Sequence, residues 1–380
     1  MRSAVLVVFV DAMGPVEADL LVRAGLGLPE VRSLEGVLGY SSGALPTILT
    51  GTPPSRHGRM CLFSRLAAGA VSPLAPLAWL GLLPVALHER GSVRRVAASA
   101  IAQMRGLSGY LALHRVPPSL FARLDIPETE DMFTARDVGG VPTFLARARD
   151  AGLRVVATDW HLPEAKRIEA IEAAPEADLA WLYLSGLDAL LHRDGCVLDD
   201  ERAWARRAVT WIHRAQLAMR AAHPGRDVQT LVVGDHGMAA VTAFVDPRST
   251  VRAIERLAGR EAFVFVDSTM LRVSPPERCA GEVRALLDQL PGTVLDGNAL
   301  AARYAPGDGR YGDLIALLPE GSIFAPSYVG GRVRGMHGYD RDSASARAAV
   351  LASEALPAGM TRLEGVAPWV CGALGLASAG

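Results

Sequence analysis

The sequence predicts an α/β fold: a central, mostly parallel sheet sandwiched by helices, with an inserted cap and a small accessory lobe. Three observations carry that expectation. Short apolar, β-branched runs recur at Ala4–Val10, Leu153–Ala157, Ala180–Leu184, Thr230–Val233 and Phe263–Val266, and continuous apolar strands belong to sheets covered on both faces. Helical stretches at Val141–Ala151, Glu201–Ala222 and Thr250–Leu257 alternate with them. Acids stand at or soon after the ends of three runs, Asp11 after the first, Asp188 after the third and Asp235 after the fourth. The carboxyl ends of strands are where open α/β sheets bind ligands.

The βα rhythm stops between residues 60 and 138, which are rich in Pro, Leu and Arg, and again between 268 and 325, where only short segments such as Thr269–Val273 and Asp313–Leu318 stand out. The expected organisation is a discontinuous catalytic domain of residues 1–59, 139–267 and 326–380, an apolar cap of residues 60–138, and an accessory lobe of residues 268–325. Within the cap, Leu66–Leu87 carries no charge over 22 residues, which reaches the roughly 20 needed to cross a bilayer. Pro73, Pro76, Pro84, Gly69 and Gly81 interrupt it, and a span there would separate Asp11 from the later His and Asp motifs. We expect a buried or surface-docking insert, with no transmembrane span. Arg90, Arg94, Arg95 and Arg105 follow. They leave peripheral contact with an anionic membrane open, although a solvated basic helix beside a packed loop is the plainer reading.

Composition narrows the function classes. Half of the 380 residues are hydrophobic and 21% are charged, enough to bury a large core. With 39 Lys and Arg against 40 Asp and Glu, the chain lacks the basic excess of a nucleic-acid binder. Cys61, Cys196, Cys279 and Cys371 lie far apart with no CxxC pair. That argues against a disulfide framework or thiolate zinc cluster, and for a reducing cytoplasm. The first apolar run is short and ends at Asp11, so no signal peptide is expected.

Five local signals carry the chemistry: Asp11; Gly39-Tyr40-Ser41-Ser42-Gly43 running to Thr50-Gly51; Asp188 through His192 to Gly195; Gly234-Asp235-His236-Gly237-Met238; and Gly335-Met336-His337-Gly338-Tyr339-Asp340. Three aspartates, three histidines and a serine make seven candidate ligands, a number that suits two metal ions. Mixed carboxylate and imidazole ligation favours zinc, with manganese as the alternative. Two such ions can clamp the attacking and leaving oxygens of a displacement at phosphorus. Ser41 or Ser42 would supply the attacking oxygen. Pro46, tolerated early in a helix, places the helix start near Ser42 or Gly43, where free N–H groups and the dipole attract phosphate. Taken singly, each signal has a structural reading as a cap, a turn or a surface pair. Their joint order is what points to one site. His57, His88, His114, His161, His213 and His223 fall outside it, with His57 the nearest in sequence to the serines.

On these motifs the chain resembles the alkaline phosphatase superfamily, and within it the nucleotide pyrophosphatase/phosphodiesterase branch, from about Val5 to His337. "SGLDALLHRDG", "GDHGM" and "GMHGYD" match that branch. The family's nucleophile stands nine residues before a Thr-Gly pair, which here is Ser41 before Thr50-Gly51. The resemblance implies one metal site at Asp188, His192 and His337 and another at Asp11, Asp235 and His236, with Ser41 approaching the second. It also implies a phosphoserine intermediate hydrolysed by water. The branch commonly has Thr at the nucleophile with Pro and Asn two and three positions later, where this chain has Gly43 and Ala44. Gly43 and Leu45 likewise occupy the Pro and Arg places of the sulfatase signature. The function expected is a two-metal phosphodiesterase or nucleotide pyrophosphatase acting on a small-molecule phosphate ester. The competing readings are a phosphomonoesterase or phosphotransferase on a lipid- or glycan-linked phosphate, and a non-catalytic metal- or phosphate-binding descendant.

Overall fold

Strand Ala4–Val10 lies inside a six-stranded sheet in the computed structural model, which describes residues 3–377. The strand order is Glu30–Leu34, Ala348–Ala352, Val228–Val233, Ala4–Val10, Leu179–Leu184, Val155–Ala157. The last four run parallel, and Ala348–Ala352 is antiparallel to both its neighbours. Alternate residues of the first strand serve the two faces. Val5, Val7 and Phe9 pack with Ile48, Phe144 and Trp181 on one side. Leu6, Val8 and Val10 pack with Leu21, Trp204 and Ile212 on the other. Each such side chain, fully buried, contributes about 1.5–3 kcal/mol. That two-sided burial is why the run is apolar without alternation.

The expected strands form with small shifts of boundary, but Phe263–Val266 does not join the central sheet. It pairs antiparallel with Met270–Ser274 in a separate four-stranded sheet completed by Leu314–Leu317 and Thr293–Leu295. A buried apolar run looks the same in either kind of sheet. Two strands of the central sheet escaped the sequence reading. Glu30–Leu34 is a half-exposed edge strand with polar residues at three of five positions, and Ala348–Ala352 is alanine-rich, a composition that favours helix.

Among the helix starts that differ from expectation, two have a clear local cause or consequence. Val141–Pro142 forms a two-residue strand against Asp137–Val138. The helix begins instead at Phe144, because the Thr143 side chain caps it by accepting from the Ala146 N–H at 3.0 Å. The Ser41–Thr50 helix starts before Ser42, so Pro46 sits in its interior rather than its first turn. Lacking an N–H, Pro46 cannot bond the Ser42 carbonyl.

The cap is closed at its base by Ser64–Arg65 pairing with Leu124–Asp125. Leu74, Leu77 and Leu80 are buried with Ile101 and Phe121 and with Phe263 and Phe265 of the second sheet. Val71, Trp79, Leu82 and Val85 of the charge-free segment are exposed. Among the described residues, no helix is long and apolar enough to cross a membrane.

Candidate metal centre

Parallel register gathers the first ligands. Val10 pairs with Leu184 and Phe9 with Val233, so Asp11, the turn after Leu184 and the Gly234-Asp235-His236 turn leave one edge of the sheet together. Gly234 permits this, since a Cβ there would stand 2.1 Å from the Met13 carbonyl. Ala12 adopts a positive φ of 65°, a strained conformation for a residue with a Cβ. Its N–H donates to Asp235 Oδ1 at 3.1 Å, tying the two turns together.

Asp11, Asp235 and His236 converge into one buried group, and Asp188, His192 and His337 into a second. Asp188 and His192 lie one turn apart on the Gly186–Asp194 helix. His337 follows the Gly335–Met336 strand, which pairs with Ala239–Ala240 just beyond the Asp235 turn. The two groups adjoin, because the His236 and His337 rings stack at 3.7 Å with 9° between their planes.

The donor set fits divalent metal ions on chemical grounds. His192 Nδ1 donates to the Gly335 carbonyl at 2.8 Å, and His236 Nδ1 donates to the Gly237 carbonyl at 2.8 Å. With Nδ1 so engaged, each ring points Nε2 inward as the nitrogen available to a metal ion. His192 Nε2 lies 3.2 Å from Asp188 Oδ1. His236 Nε2 lies 3.2 Å from Asp235 Oδ2 and 3.8 Å from Asp11 Oδ1. Carboxylate oxygens around each inward Nε2 form a negatively charged pocket that suits a divalent cation. Asp188 Oδ1, Asp235 Oδ2 and His337 Nδ1 are buried without a hydrogen-bond partner among the described residues.

The electrostatics agree. Burial, with the charges of Asp235 and Asp188, pushes the Asp11 carboxyl well above its ordinary range. Burial works to lower His236, but Asp235, Asp11 and Asp188 outweigh it and hold the ring up to about 10. Burial, His236 and His192 together press His337 well down.

Ser41 is the first residue of its ten-residue helix. Its Oγ lies 2.9 Å from His236 Nε2 and 3.4 Å from Asp11 Oδ1. Ser42 Oγ donates instead to the Met60 carbonyl at 3.3 Å. The N–H groups of both serines, in the first turn, lack intrahelical acceptors by position. His57 is buried behind this helix, where Nδ1 accepts from the Arg59 N–H and Nε2 lies 3.0 Å from Thr47 Oγ1. Thr47 in turn donates to the Gly43 carbonyl at 3.0 Å. Burial, with Arg59, lowers His57 to about 3, so it stays neutral.

Two tyrosines frame the centre, Tyr183 outside every motif and Tyr40 within the serine motif but not read there as a site residue. Tyr183 Oη donates to Asp11 Oδ2 at 2.7 Å. Tyr40 sets its ring edge-on to His337 at 5.7 Å and lies 2.9 Å, hydroxyl to hydroxyl, from Thr269, in the turn that joins Phe263–Val266 to Met270–Ser274. Gly338, at φ +84°, keeps clear of the Tyr40 ring, which a Cβ would approach to 2.4 Å. Tyr183 sits five residues before Asp188 on an apolar strand, and only its parity with Phe9 in the register signals where it faces.

Comparison with known proteins places this geometry. The sequence model of the type I phosphodiesterase / nucleotide pyrophosphatase family matches residues 102–340, which contain five of the six metal-group residues, all but Asp11. None of the curated proteins compared matches the sequence. Among solved structures, murine ectonucleotide pyrophosphatase / phosphodiesterase 5 is similar over 100% of this chain and 96% of its own, at 15% identity and a TM-score of 0.68. An inactive form of that murine protein in complex with AMP gives 16% identity, the same coverages and 0.67. Phosphonoacetate hydrolase from Sinorhizobium meliloti 1021, in complex with phosphonoacetate, gives 15% identity, 98% and 96% coverage and 0.64. At such identities the likeness establishes the shared fold. The family match does more: the chain belongs to the type I phosphodiesterase / nucleotide pyrophosphatase family, within the alkaline phosphatase superfamily, and is a metal-dependent hydrolase of phosphoester bonds.

Proposed function

We propose that the chain cleaves a phosphodiester or pyrophosphate bond through a phosphoserine at Ser41. One observation carries the reading: Ser41 Oγ, at a helix N-terminus, lies 2.9 Å from His236 Nε2 and 3.4 Å from Asp11 Oδ1, while Ser42 turns away. Asp188, His192 and His337 would hold one divalent ion and Asp11, Asp235 and His236 the other, zinc before manganese. Bound there, the ions neutralise phosphate charge and lower the pKa of the serine hydroxyl and of water. Ser41 Oγ, giving up its proton, attacks phosphorus; the bond to the leaving oxygen breaks and that oxygen takes a proton; water then cleaves the bond between Ser41 Oγ and phosphorus, releasing a phosphate monoester and restoring the serine hydroxyl. The first-turn N–H groups of the helix receive a non-bridging oxygen, a role that suits a turn with Gly43 and Ala44 beside the serines. The four cysteines are free, which supports the reducing cytoplasm as its compartment.

The test is a rate panel on an aryl phosphodiester, a dinucleotide pyrophosphate, a phosphomonoester and a sulfate ester, with and without added zinc. Metal-dependent turnover should be highest on the diester or pyrophosphate. The second reading, a phosphomonoesterase or phosphotransferase acting on a lipid- or glycan-linked phosphate, rests on the apolar cap, and a dominant monoester rate would replace the proposal with it.

A further inference from the structure

The cap buries only one side of its apolar segment. Ala75–Leu82 forms a 3-10 helix, in which side chains three residues apart eclipse one another. Leu74, Leu77 and Leu80 take the inward row, while Pro76, Trp79 and Leu82 form an outward edge. Trp79 is 53% exposed and Leu82 87%. The Val85–His88 and Gly91–Arg105 helices pack against this element and against each other. They add Val85, Val96 and Met104 to the exposed apolar set. On the longer helix Arg94, Ala97, Ala98 and Ile101 face inward, so Val96, Ala100 and Met104, spaced by four, form an outward stripe.

The elements that form this face, Ala75–Leu82, Val85–His88 and Gly91–Arg105 with the residues between them, carry Arg90, Arg94, Arg95 and Arg105 against one acid, Glu89. Arg94 is spent internally, donating to the His88 and Val116 carbonyls at 2.6 Å each. Arg90, Arg95 and Arg105 are exposed and form no ion pair among the described residues. An exposed apolar edge with a tryptophan and neighbouring free arginines matches the headgroup boundary of an anionic bilayer, where Trp sits at the interface and arginine meets phosphate. A second copy docking by the same patch would oppose arginines with arginines. Nucleic acid would leave the Trp79–Leu82 edge in water.

We propose that this cap face docks on an anionic lipid surface, with Trp79 and Leu82 entering the headgroup boundary and Arg90, Arg95 and Arg105 meeting lipid phosphates. The interaction is independent of the reaction assigned to the metal centre. The test is sedimentation of the full chain with phosphatidylcholine vesicles, with and without phosphatidylglycerol, at low and high salt. Binding should require phosphatidylglycerol and weaken with salt. Each surface arginine is worth roughly fivefold in partitioning, so Arg90→Gln/Arg95→Gln/Arg105→Gln should weaken binding by about 100-fold. Trp79→Ser/Leu82→Ser should weaken it more than about tenfold. Both variants alter exposed side chains and should keep the parent rate on a soluble aryl phosphodiester, which certifies folding. Failure to sediment with anionic vesicles, equal binding to neutral ones, or a concentration-dependent dimer that both variants dissolve would each overturn the proposal.

Discussion

His236 and His337 stack face to face at 3.7 Å although they belong to different metal-binding groups. Burial and the charges of His236 and His192 drive His337 down, while Asp235, Asp11 and Asp188 overcome burial and hold His236 up to about 10. Both rings are neutral when they serve as ligands, so stripping metal takes two divalent cations from among the carboxylates Asp11, Asp188 and Asp235. Chelator-treated protein should melt several degrees below protein with zinc restored, since binding at about 1,000 times Kd adds about 4 kcal/mol. Differential scanning calorimetry with and without zinc checks this.

Ser41 and Ser42 are separable by their contacts, one beside His236 and the other on the Met60 carbonyl. Ser41→Ala should lower turnover by about a thousandfold or more while metal content stays near two equivalents. Ser42→Ala, which removes one hydrogen bond worth about 1 kcal/mol, should cost less than about tenfold. Steady-state kinetics and elemental analysis on the same preparations read both outcomes, and the reverse ranking would move the nucleophile.

Tyr183 fixes one oxygen of Asp11 through its hydroxyl and packs its ring against Phe9 and Phe133. Tyr183→Phe keeps the packing and removes the bond. Groups that orient ligands in this way are typically worth 10–100-fold in metal affinity or activity, so chelator competition should show zinc bound about tenfold or more weakly, with the thermal unfolding of the metal-free chain little changed.

Glu17, which is not itself among the metal-group residues, gives a pH signature of its own. It is buried, accepts the Gly14 N–H at 2.9 Å, and is raised by burial from 4.5 to about 7. The folded chain therefore holds this proton up to about pH 7, whereas the unfolded chain releases it near 4.5. Its contribution is fully present below pH 4.5 and is lost as pH rises to about 7, by about 3 kcal/mol in total. Glu17→Gln retains an acceptor for Gly14 and removes the titration. The variant should gain stability relative to the parent at pH 8 but not at pH 4.5, read from urea midpoints.

Arg272, wholly buried, donates Nε to Asp267 Oδ2 at 2.5 Å and Nη1 to the Phe63 carbonyl at 3.0 Å, and lies over the Phe265 ring. It thus joins the second sheet to the cap. Arg272→Leu strands the Asp267 carboxylate and should cost about 3–5 kcal/mol, most of which Asp267→Leu in the same chain should restore. Chemical denaturation of the single and double variants decides it.

The elements legible in the amino-acid sequence are those whose signal is local and periodic. The run Ala4–Val10, the Asp188–His192 spacing of one helical turn and the Gly-Asp-His-Gly turn at 234–237 each announce themselves within a few residues. Glu30–Leu34 and Ala348–Ala352 stayed hidden because their strand character comes from neighbours in the sheet rather than from their own composition. Which serine faces His236 was likewise not local: it depends on where the Ser41–Thr50 helix begins and on the Met60 carbonyl that claims Ser42. Tyr183 reaches Asp11 only through parallel register between strands more than 170 residues apart in the chain. The division of Leu66–Leu87 into a buried row and an outward edge was set by a three-residue helical period that follows from packing against Phe121 and Phe263. Residue types name the chemistry, because ligation and nucleophilicity are properties of single side chains; their convergence is decided by register and packing, which only the folded chain possesses.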